Sequence, residues 1–409
     1  MKIYQIGGCV RDAVLQNEPH DIDYVVVGAT VEEMLSQGYK QVGKDFPVFL
    51  HPQTKDEYAL ARKEIKTGDK HTDFKFIFTP DITLEEDIQR RDFTINALAR
   101  DVKTGKIVDL VDGMKDLEQG VIRHINSEHF GDDPLRVLRM CRFAAKLNFT
   151  IAPETMTLAR KMVDRGMLAH LSPERIFKEI QKALETEHFE IFIRVAKECG
   201  ALKVILPEVD ELWNIPEKPQ YHPEGNSGEH TMLAISHAEH LSPKVKFAVL
   251  MHDVGKIYTP KEILPAHHNH DSRGISVIKE ICSRLLIPNS YKKLALLGCA
   301  VHMKFHLLPQ MKIGKKVDLI KLISSNFKDK EQMQDVIDIC HSDVLGRGKE
   351  ISIEEEKNFA ECVKICQKTF EKIKDIHATD MPNFAQLPKD EKFLGLYREF
   401  LISQLRHNL

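Results

Sequence analysis

Two aspartates one residue apart, Asp21 and Asp23, head the apolar run Tyr24-Val25-Val26-Val27. On a strand, residues i and i+2 face the same side, so this spacing predicts two carboxylates presented together, with Ile22 and Tyr24 facing away. Like charges placed that way repel and raise each other's pKa unless a cation lies between them. Magnesium is held by such hard oxygens, often one or two carboxylates plus substrate phosphates. Ahead of the pair, Gly7-Gly8 stands between a strand-like run and a short helix expected over Val10–Leu15, with Arg11 and Asp12 following at once. Glycines at that junction let a backbone approach a phosphate at a helix N-terminus. A plain tight turn would use the same residues.

A second concentration of chemistry lies far downstream. Nine of the 20 histidines fall between residues 230 and 306, many more than an even spread would place there. His252-Asp253 sits at the centre of this stretch, with His230 before it and His270, His302 and Asp343 after it. Neutral imidazole and carboxylate suit first-row metal ions, and a bound ion supplies hydroxide near neutral pH for attack on a phosphate ester. His252 and Asp253 are adjacent, so on a helix they would point about 100° apart. They would then share an ion only if the imidazole reached round, with His230, Asp343 and His302 closing the site from other helices. His237, His240, His267 and His268 read as histidines that satisfy local hydrogen bonds.

The elements that must carry these residues change character along the chain. Lys2–Ile6, Asp21–Val27, Pro47–His51, Tyr58–Ala61 and Lys106–Leu110 read as short strands. From about residue 116 the apolar spacing is helical, with Pro216–Gly228 as a connection. The expected fold class is α+β. A small mixed-sheet head over 1–120 precedes an all-helical remainder: a neck and body over 121–224, a histidine-rich domain over 225–345 and a helical tail over 346–409. The 409 residues are 42% hydrophobic and 29% charged, a globular composition. With 58 Lys and Arg against 61 Asp and Glu, the net charge of -3 leaves any nucleic-acid partner to be held by local basic patches. Eight scattered cysteines without a Cys-x-x-Cys pair point to free thiols in a reducing cytoplasm. The N-terminus runs straight into the glycine motif, so no signal peptide is expected, and no membrane span is expected either.

Ile6-Gly7-Gly8-Cys9-Val10-Arg11-Asp12 followed by Asp21-Ile22-Asp23 resembles the head of polymerase-β-type nucleotidyltransferases, and more narrowly the bacterial class II tRNA nucleotidyltransferases. Those are the CCA-adding enzymes and their relatives the poly(A) polymerases. Arg90-Arg91-Asp92 with Asn96-Ala97 resembles a second motif of that family. Asp132-Asp133-Pro134-Leu135-Arg136 resembles a third, with Asp132 where the family usually has Glu. The resemblance implies addition of CCA to tRNA 3′ ends from CTP and ATP without a nucleic-acid template. It makes Asp21 and Asp23 the catalytic magnesium ligands, and Gly8, Arg11, Arg91, Asp133, Arg136 and Arg139 the nucleotide-binding set.

The chemistry of these residues fits that reading. A guanidinium fork matches phosphate oxygens, which suits Arg11 and Arg91. Asp133 and Arg136 at i, i+3 would be neighbours on a helix. A carboxylate accepting from an exocyclic amine, beside a guanidinium donating to a ring nitrogen, admits cytosine and adenine. Uracil and guanine would leave buried groups unpaired. Asp133 before Pro134 is also a good helix cap. Arg136, Arg139 and Arg142 lie on neighbouring turns, and Arg175, Lys178 and Lys182 form a basic helix face that is either solvated or tracks phosphates.

The histidine segment resembles the HD superfamily of metal-dependent phosphohydrolases. It implies His230, His252, Asp253, His302 and Asp343 as ligands, with nickel, or cobalt or manganese, as the ion, in an enzyme acting on 2′,3′-cyclic or 2′-phosphates. A poly(A) polymerase and a nucleotidyltransferase–HD modifier of a signalling protein are the rival readings. A non-catalytic tRNA-binding module would be expected to have lost Asp21 or Asp23. The expected assembly is a monomer or homodimer.

Overall fold

The structure, a computed structural model, describes residues 1–19, 21–42, 48–66, 74–387 and 391–406. The chain divides into two compact units: Met1–Glu179 with Arg194–Val204, and Ile180–Ile193 with Ile205–Leu409. The fold is α+β, a mixed-sheet head followed by a mostly helical body.

The head is built on strands β1 (Lys2–Ile6), β2 (Asp23–Val27), β3 (Lys40–Gln41), β4 (Val48–Leu50), β5 (Glu57–Leu60), β6 (Lys63–Lys66), β7 (Phe74–Ile77), β8 (Ala99–Asp101) and β9 (Ile107–Val108). Seven of them form one sheet in the order β3-β4-β5-β2-β1-β8-β9, and β6 pairs with β7 as a separate hairpin. Only β2 and β5 run parallel; the other neighbours in the sheet are antiparallel. Both faces are covered, and the alternation along β2 shows how. Val25 packs with Tyr4, Ile6, Ile88 and Ala99 on one face, and Val26 packs with Met34, Phe49 and Leu60 on the other. By the same alternation Asp23 shares the face of Val25.

The expected strand over Lys2–Ile6 is β1. Asp21–Val27 shortens to Asp23–Val27, so Asp21 precedes the strand instead of lying on it. Tyr58–Ala61 slides by one residue to Glu57–Leu60, Lys106–Leu110 contracts to Ile107–Val108, and Pro47–His51 contracts to Val48–Leu50, with Pro47 outside the described residues. β3, the β6–β7 hairpin and β8 went unread. The charged Lys63-Glu64 start of β6 and the three-residue length of β8 offer no alternation to detect. One parallel pair, Val121–Ile122 with Thr150–Ile151, interrupts the stretch expected to be wholly helical.

In the second unit the helix Pro243–Met251, capped by Ser242 and opened by a proline, is buried from Val245 to Met251. It packs against the helices Asn289–Phe305 and Lys330–Leu345. Such a fully apolar helix belongs at the centre of a bundle. Its end, and the turn that follows, carry His252 and Asp253. Among the described residues no helix is long and apolar enough to cross a membrane. All eight cysteines are buried and free.

Candidate active sites

The head site is organised by a glycine turn and a buried aspartate. Gly7 adopts φ 85°, a left-handed conformation that favours glycine, and its N–H donates to the Leu98 carbonyl at 3.1 Å. The helix Gly8–Val14 starts at once. A Cβ on Gly7 would lie 3.8 Å from Arg91 Nη1, so the turn and this guanidinium are close neighbours. Arg91 also faces Asp23. Partial burial raises the Asp23 carboxyl above its ordinary range; Arg91 opposes the rise and Asp21 adds to it. The structure thus brings Asp21, Asp23, Arg91 and the Gly7-Gly8 turn together. Two nearby carboxylates, one of them raised by burial and by the other's charge, make a site that a divalent cation fits.

Arg91 is aimed from behind. The helix Leu84–Gln89 begins with a capping box between Thr83 and Glu86, which places Asp87 one turn in, 0% exposed. Asp87 Oδ2 accepts from Arg91 Nε and Nη2 at 3.2 and 3.0 Å, and its Oδ1 accepts from Arg90 Nη2 at 2.6 Å. Burial alone would raise Asp87, yet the two guanidiniums hold it below its usual value. Asp87 was not singled out from the sequence, where it reads as one of three acids in a helix's first turn.

Arg11 is held by side chains within the head. Only 2% exposed, it donates from Nε to Asp12 Oδ1 at 2.8 Å and from Nη1 to Asn96 Oδ1 at 2.5 Å. It ties the first helix to the Arg90–Asn96 motif, and Gly8 sits against it, with Arg11 Nη2 3.6 Å from where a Cβ would be. Arg139 is likewise committed, gripping Asp92 Oδ2 with Nε and Nη2 at 2.8 and 2.5 Å. Burial works to raise the Asp92 carboxyl, but Arg139 and the Asn96 amide hold it low.

Asp133 is not on the helix with Arg136. It has extended geometry between the helices Ser127–Asp132 and Leu135–Leu147, and Pro134 takes the cap position. Proline disfavours helical geometry in the residue before it, which throws Asp133 out of the turn. Its Oδ1 still accepts from the Leu135 N–H at 3.0 Å, so the capping role is present. Arg175 Nη2 also grips it, at 2.8 and 3.1 Å to the two oxygens. The expected basic helix face therefore contributes one arginine that points inward. Arg136 is held by the His129 and Arg90 carbonyls, each at 2.6 Å. Asp133 and Arg136 nevertheless line one cavity of about 200 Å³ with Arg62, Glu64, Phe76 and Arg90. Phe76, Glu64 and Arg62, unread in the sequence, reach the cavity from β7, β6 and the β5–β6 connection. Arg142, expected beside Arg136 and Arg139, instead pairs with Glu179 at 2.5 Å.

The second site lies wholly in the other unit. His252 caps the end of the helix Pro243–Met251, and Asp253 sits in the turn beyond it. The 100° separation expected on a helix therefore does not apply, and His252 Nε2 lies 3.1 Å from Asp253 Oδ2. Gly255 makes this possible. A Cβ there would stand 2.0 Å from the His270 carbonyl and 2.5 Å from the Gly274 nitrogen. Two glycines in contact let the turn lie on the helix His270–Arg284, bringing Asp253 Oδ1 to 3.2 Å from His270 Nε2. His230 and Asp343 close the site, 3.1 Å apart. All five expected ligands converge, and His270 joins them.

The imidazoles are oriented by their outer nitrogens. Nδ1 of His252 donates to the Val249 carbonyl at 2.6 Å, Nδ1 of His270 to the His267 carbonyl at 2.8 Å, Nδ1 of His302 to the Cys299 carbonyl at 3.0 Å, and Nδ1 of His230 to the Gly346 carbonyl at 3.0 Å. In a neutral ring a protonated Nδ1 leaves Nε2 as a lone pair. Four Nε2 lone pairs thus face Asp253 and Asp343, acceptors facing acceptors. His270 and His302 meet Nε2 to Nε2 at 3.0 Å, and the buried His252 Nε2 has no hydrogen-bond partner. Cations between them would resolve this arrangement, and imidazoles locked by carbonyls are the usual support of a metal site. Burial, then neighbouring His252, drives His302 down to about 3, whereas for His230 the Asp343 and Glu224 hydrogen bonds override burial and lift it to about 9, so that without an ion its Nε2 carries a proton that a bound cation would replace. Lys256 fixes Asp253 through a 2.7 Å contact and is itself held by Glu217 at 2.7 Å. His267, read as structural, bonds Thr259 at 2.9 Å and the Pro216 carbonyl at 3.0 Å.

Comparison with known proteins places both units. Residues 3–123 match the family described as Poly A polymerase head domain, and residues 148–212 match the probable RNA and SrmB-binding site of polymerase A. The chain is similar to the Bacillus stearothermophilus CCA-adding enzyme in complex with CTP, at TM-score 0.66 and 19% identity over 98% of this chain and 88% of that one. It is similar to the Thermotoga maritima CCA-adding enzyme complexed with tRNA, at TM-score 0.63 and 20% identity over 100% and 88%. A CCA-adding enzyme with ATP gives TM-score 0.64 at 19% identity over 99% and 86%. Residues 3–123 therefore match a head domain of the poly A polymerase type, in a chain whose fold is that of the CCA-adding enzymes.

Proposed function

We propose that this chain completes tRNA 3′ ends with CCA from CTP and ATP, without a nucleic-acid template. The observation that carries the reading is the grouping of Asp21, Asp23, Arg91 and the Gly7-Gly8 turn in one unit with the Asp133–Arg136 cavity. The complexes of similar proteins with CTP, ATP and tRNA support the same substrates. Asp21 and Asp23 hold magnesium, which lowers the barrier to in-line attack by an RNA 3′-hydroxyl on an α-phosphate. Arg91, aimed by Asp87, meets the triphosphate, and the Gly7-Gly8 backbone leaves room for it. Asp133 and Arg136 read the base, accepting from the amine of C or A and donating to the adjacent ring nitrogen. Residues 1–120 act as the head, 121–224 as neck and body, 225–345 as the histidine-rich domain and 346–409 as the tail.

The histidine centre is a phosphohydrolase that removes 2′,3′-cyclic or 2′-phosphates from damaged RNA ends. Its imidazole-rich ligands favour nickel, or cobalt or manganese, over magnesium. A blocked 3′ end accepts no nucleotide, so this activity restores the hydroxyl that the head uses. Lys218 and Arg347 line the adjoining cavity of about 430 Å³ and supply cations for the phosphate.

The test is incubation of purified protein with tRNA lacking CCA, each nucleotide and magnesium, followed by sequencing of the 3′ ends. Ordered C, C, A addition that is lost in Asp21→Ala is expected. Runs of A from ATP alone would make the chain a poly(A) polymerase. Hydrolysis of 2′,3′-cyclic AMP stimulated by nickel and lost in His252→Ala is expected of the second centre; no hydrolysis with any divalent metal would overturn that half.

A further inference from the structure

We propose that a second cavity in the unit containing Ile205–Leu409 binds the oligophosphate of a free nucleotide or of inorganic pyrophosphate. It measures about 430 Å³ and is lined from the helices Ile313–Ile323 and Ile353–Ile373. It shares no lining residue with the cavity at the histidine centre. Lys316 reaches it from the first helix, and Lys364 and Lys368, one turn apart, from the second.

Charge on these helices is matched elsewhere but not in this hollow. Glu371 pairs with Lys330 and Lys374, and Asp318 accepts from Arg398 Nε at 2.7 Å. Lys316, Lys364 and Lys368 make no ion pair among the described residues. Glu361 is the one carboxylate on the described lining, so positive charge is in excess there. Like charges at i, i+4 repel, and an anion between Lys364 and Lys368 turns that repulsion into attraction.

A buried hydroxyl faces the same space. Thr369 lines the cavity and is 5% exposed. Thr157 and Thr231, also on helices, turn their hydroxyls back to the carbonyls of Pro153 and Ser227, at 2.8 and 2.7 Å. The Thr369 side chain makes no hydrogen bond among the described residues. Buried polar groups are almost always paired, so this hydroxyl is left for a ligand.

The lining sets the class of that ligand. Three ammoniums and a hydroxyl are donors suited to an anion with many oxygens, and lysine binds phosphate as a point charge. The volume falls within the roughly 300–1,000 Å³ of small-molecule sites and exceeds what one phosphate needs. Ala360 and Ile365 add an apolar wall, but no aromatic ring lines the cavity to stack a base. Selection is therefore by phosphate number and not by base. An RNA strand lying across the opening would meet the lysines without reaching the buried Thr369 hydroxyl.

Hydrogen exchange on the full-length protein tests this, because it reports each nucleotide-binding place separately. ATP, CTP, GTP, pyrophosphate, AMP and adenosine are titrated without divalent metal. Saturable slowing in Ile313–Ile323 and Ile353–Ile373 is expected with all three triphosphates, weaker with AMP and absent with adenosine. Pyrophosphate acting as well as ATP assigns the site to the phosphates alone; weaker action adds a nucleoside contact at Ala360 and Ile365. Lys364→Ala and Lys368→Ala should each weaken ATP binding at these helices about tenfold. Thr369→Val, which keeps the side-chain shape, should weaken it about three- to tenfold. Circular dichroism checks that the variants fold, and slowing by CTP within residues 1–179 should persist in all of them. No saturable slowing in these helices at millimolar ATP, equal slowing by adenosine, or ATP slowing unchanged in Lys364→Ala and Lys368→Ala would overturn the site. Slowing by tRNA but not by ATP, unaffected by Thr369→Val, would also overturn it and make the lysines an RNA-binding patch.

Discussion

At the scale of single residues, the head site depends on side chains that hold other side chains in place. Arg175 is the sharpest case, because it grips both oxygens of Asp133, the proposed reader of the base. A charge-assisted contact of this kind is worth about 1.5–3 kcal/mol. Arg175→Ala should therefore lower the preference for CTP over UTP by about ten- to a hundredfold, with Arg175→Lys restoring part of it. Parallel kcat/KM measurements with the two nucleotides check this, and an unchanged ratio would show that Asp133 needs no such support. Asp92 makes a different prediction. Its folded carboxyl lies below its ordinary value, so its contribution to stability is present above the unfolded pKa of about 4 and is lost as pH falls through the folded value. Acid titration of the head should show a loss of stability below about pH 4 that Asp92→Asn removes, at the expense of lower stability at pH 7. Denaturant midpoints against pH for the two proteins measure it.

At the scale of elements, both sites are placed by the ends of secondary structure. Asp23 opens a strand, Asp133 stands between two helices, and Asp253 follows the last turn of one. The contact between Gly255 and Gly274 governs the last of these. A methyl group on Gly255 would meet the His270 backbone at 2.0 Å, and backbone cannot swing aside as a flexible side chain does. Gly255→Ala should lift the Asp253 turn from the helix His270–Arg284 and cost upward of about 1–3 kcal/mol. Loss of bound manganese and a lowered melting temperature are expected, with nucleotide addition retained. An alanine variant that binds metal normally would show that the turn has room after all.

At the scale of the whole molecule, the two proposed chemistries share no residue. Asp21, Asp23, Arg91, Asp133 and Arg136 belong to Met1–Glu179, and every histidine proposed as a ligand to the unit containing Ile205–Leu409. Ligand at one hundred times its Kd stabilises the unit that binds it by about 2.7 kcal/mol. Hydrogen exchange should therefore slow within residues 1–179 on addition of CTP and magnesium, and around the helices Ser227–Ser236, His270–Arg284 and Lys330–Leu345 on addition of nickel. Nickel protection confined to the first unit would contradict the assignment of the histidine centre.

The sequence by itself determined the types and the order of the reacting groups. Asp21 and Asp23 behind twin glycines, the Arg-Arg-Asp stretch and the His-Asp pair among crowded histidines were legible because local spacing carries them. The mixed-sheet head and the helical remainder were legible for the same reason, as periodicity is a local property. Tertiary structure decided how the named groups are held. Arg11 and Arg139 were read as phosphate or nucleotide ligands, and packing pairs them with Asn96 and Asp92. Asp87, Arg175 and His270 gained their roles from partners distant in the chain or around a turn, and no spacing rule reports such partners. Nor does sequence separation reveal that one carboxylate, Asp253, stands between two groups of imidazoles. That follows from helices packing at Gly255 and Gly274 closely enough for side chains far apart in the chain to point at one centre.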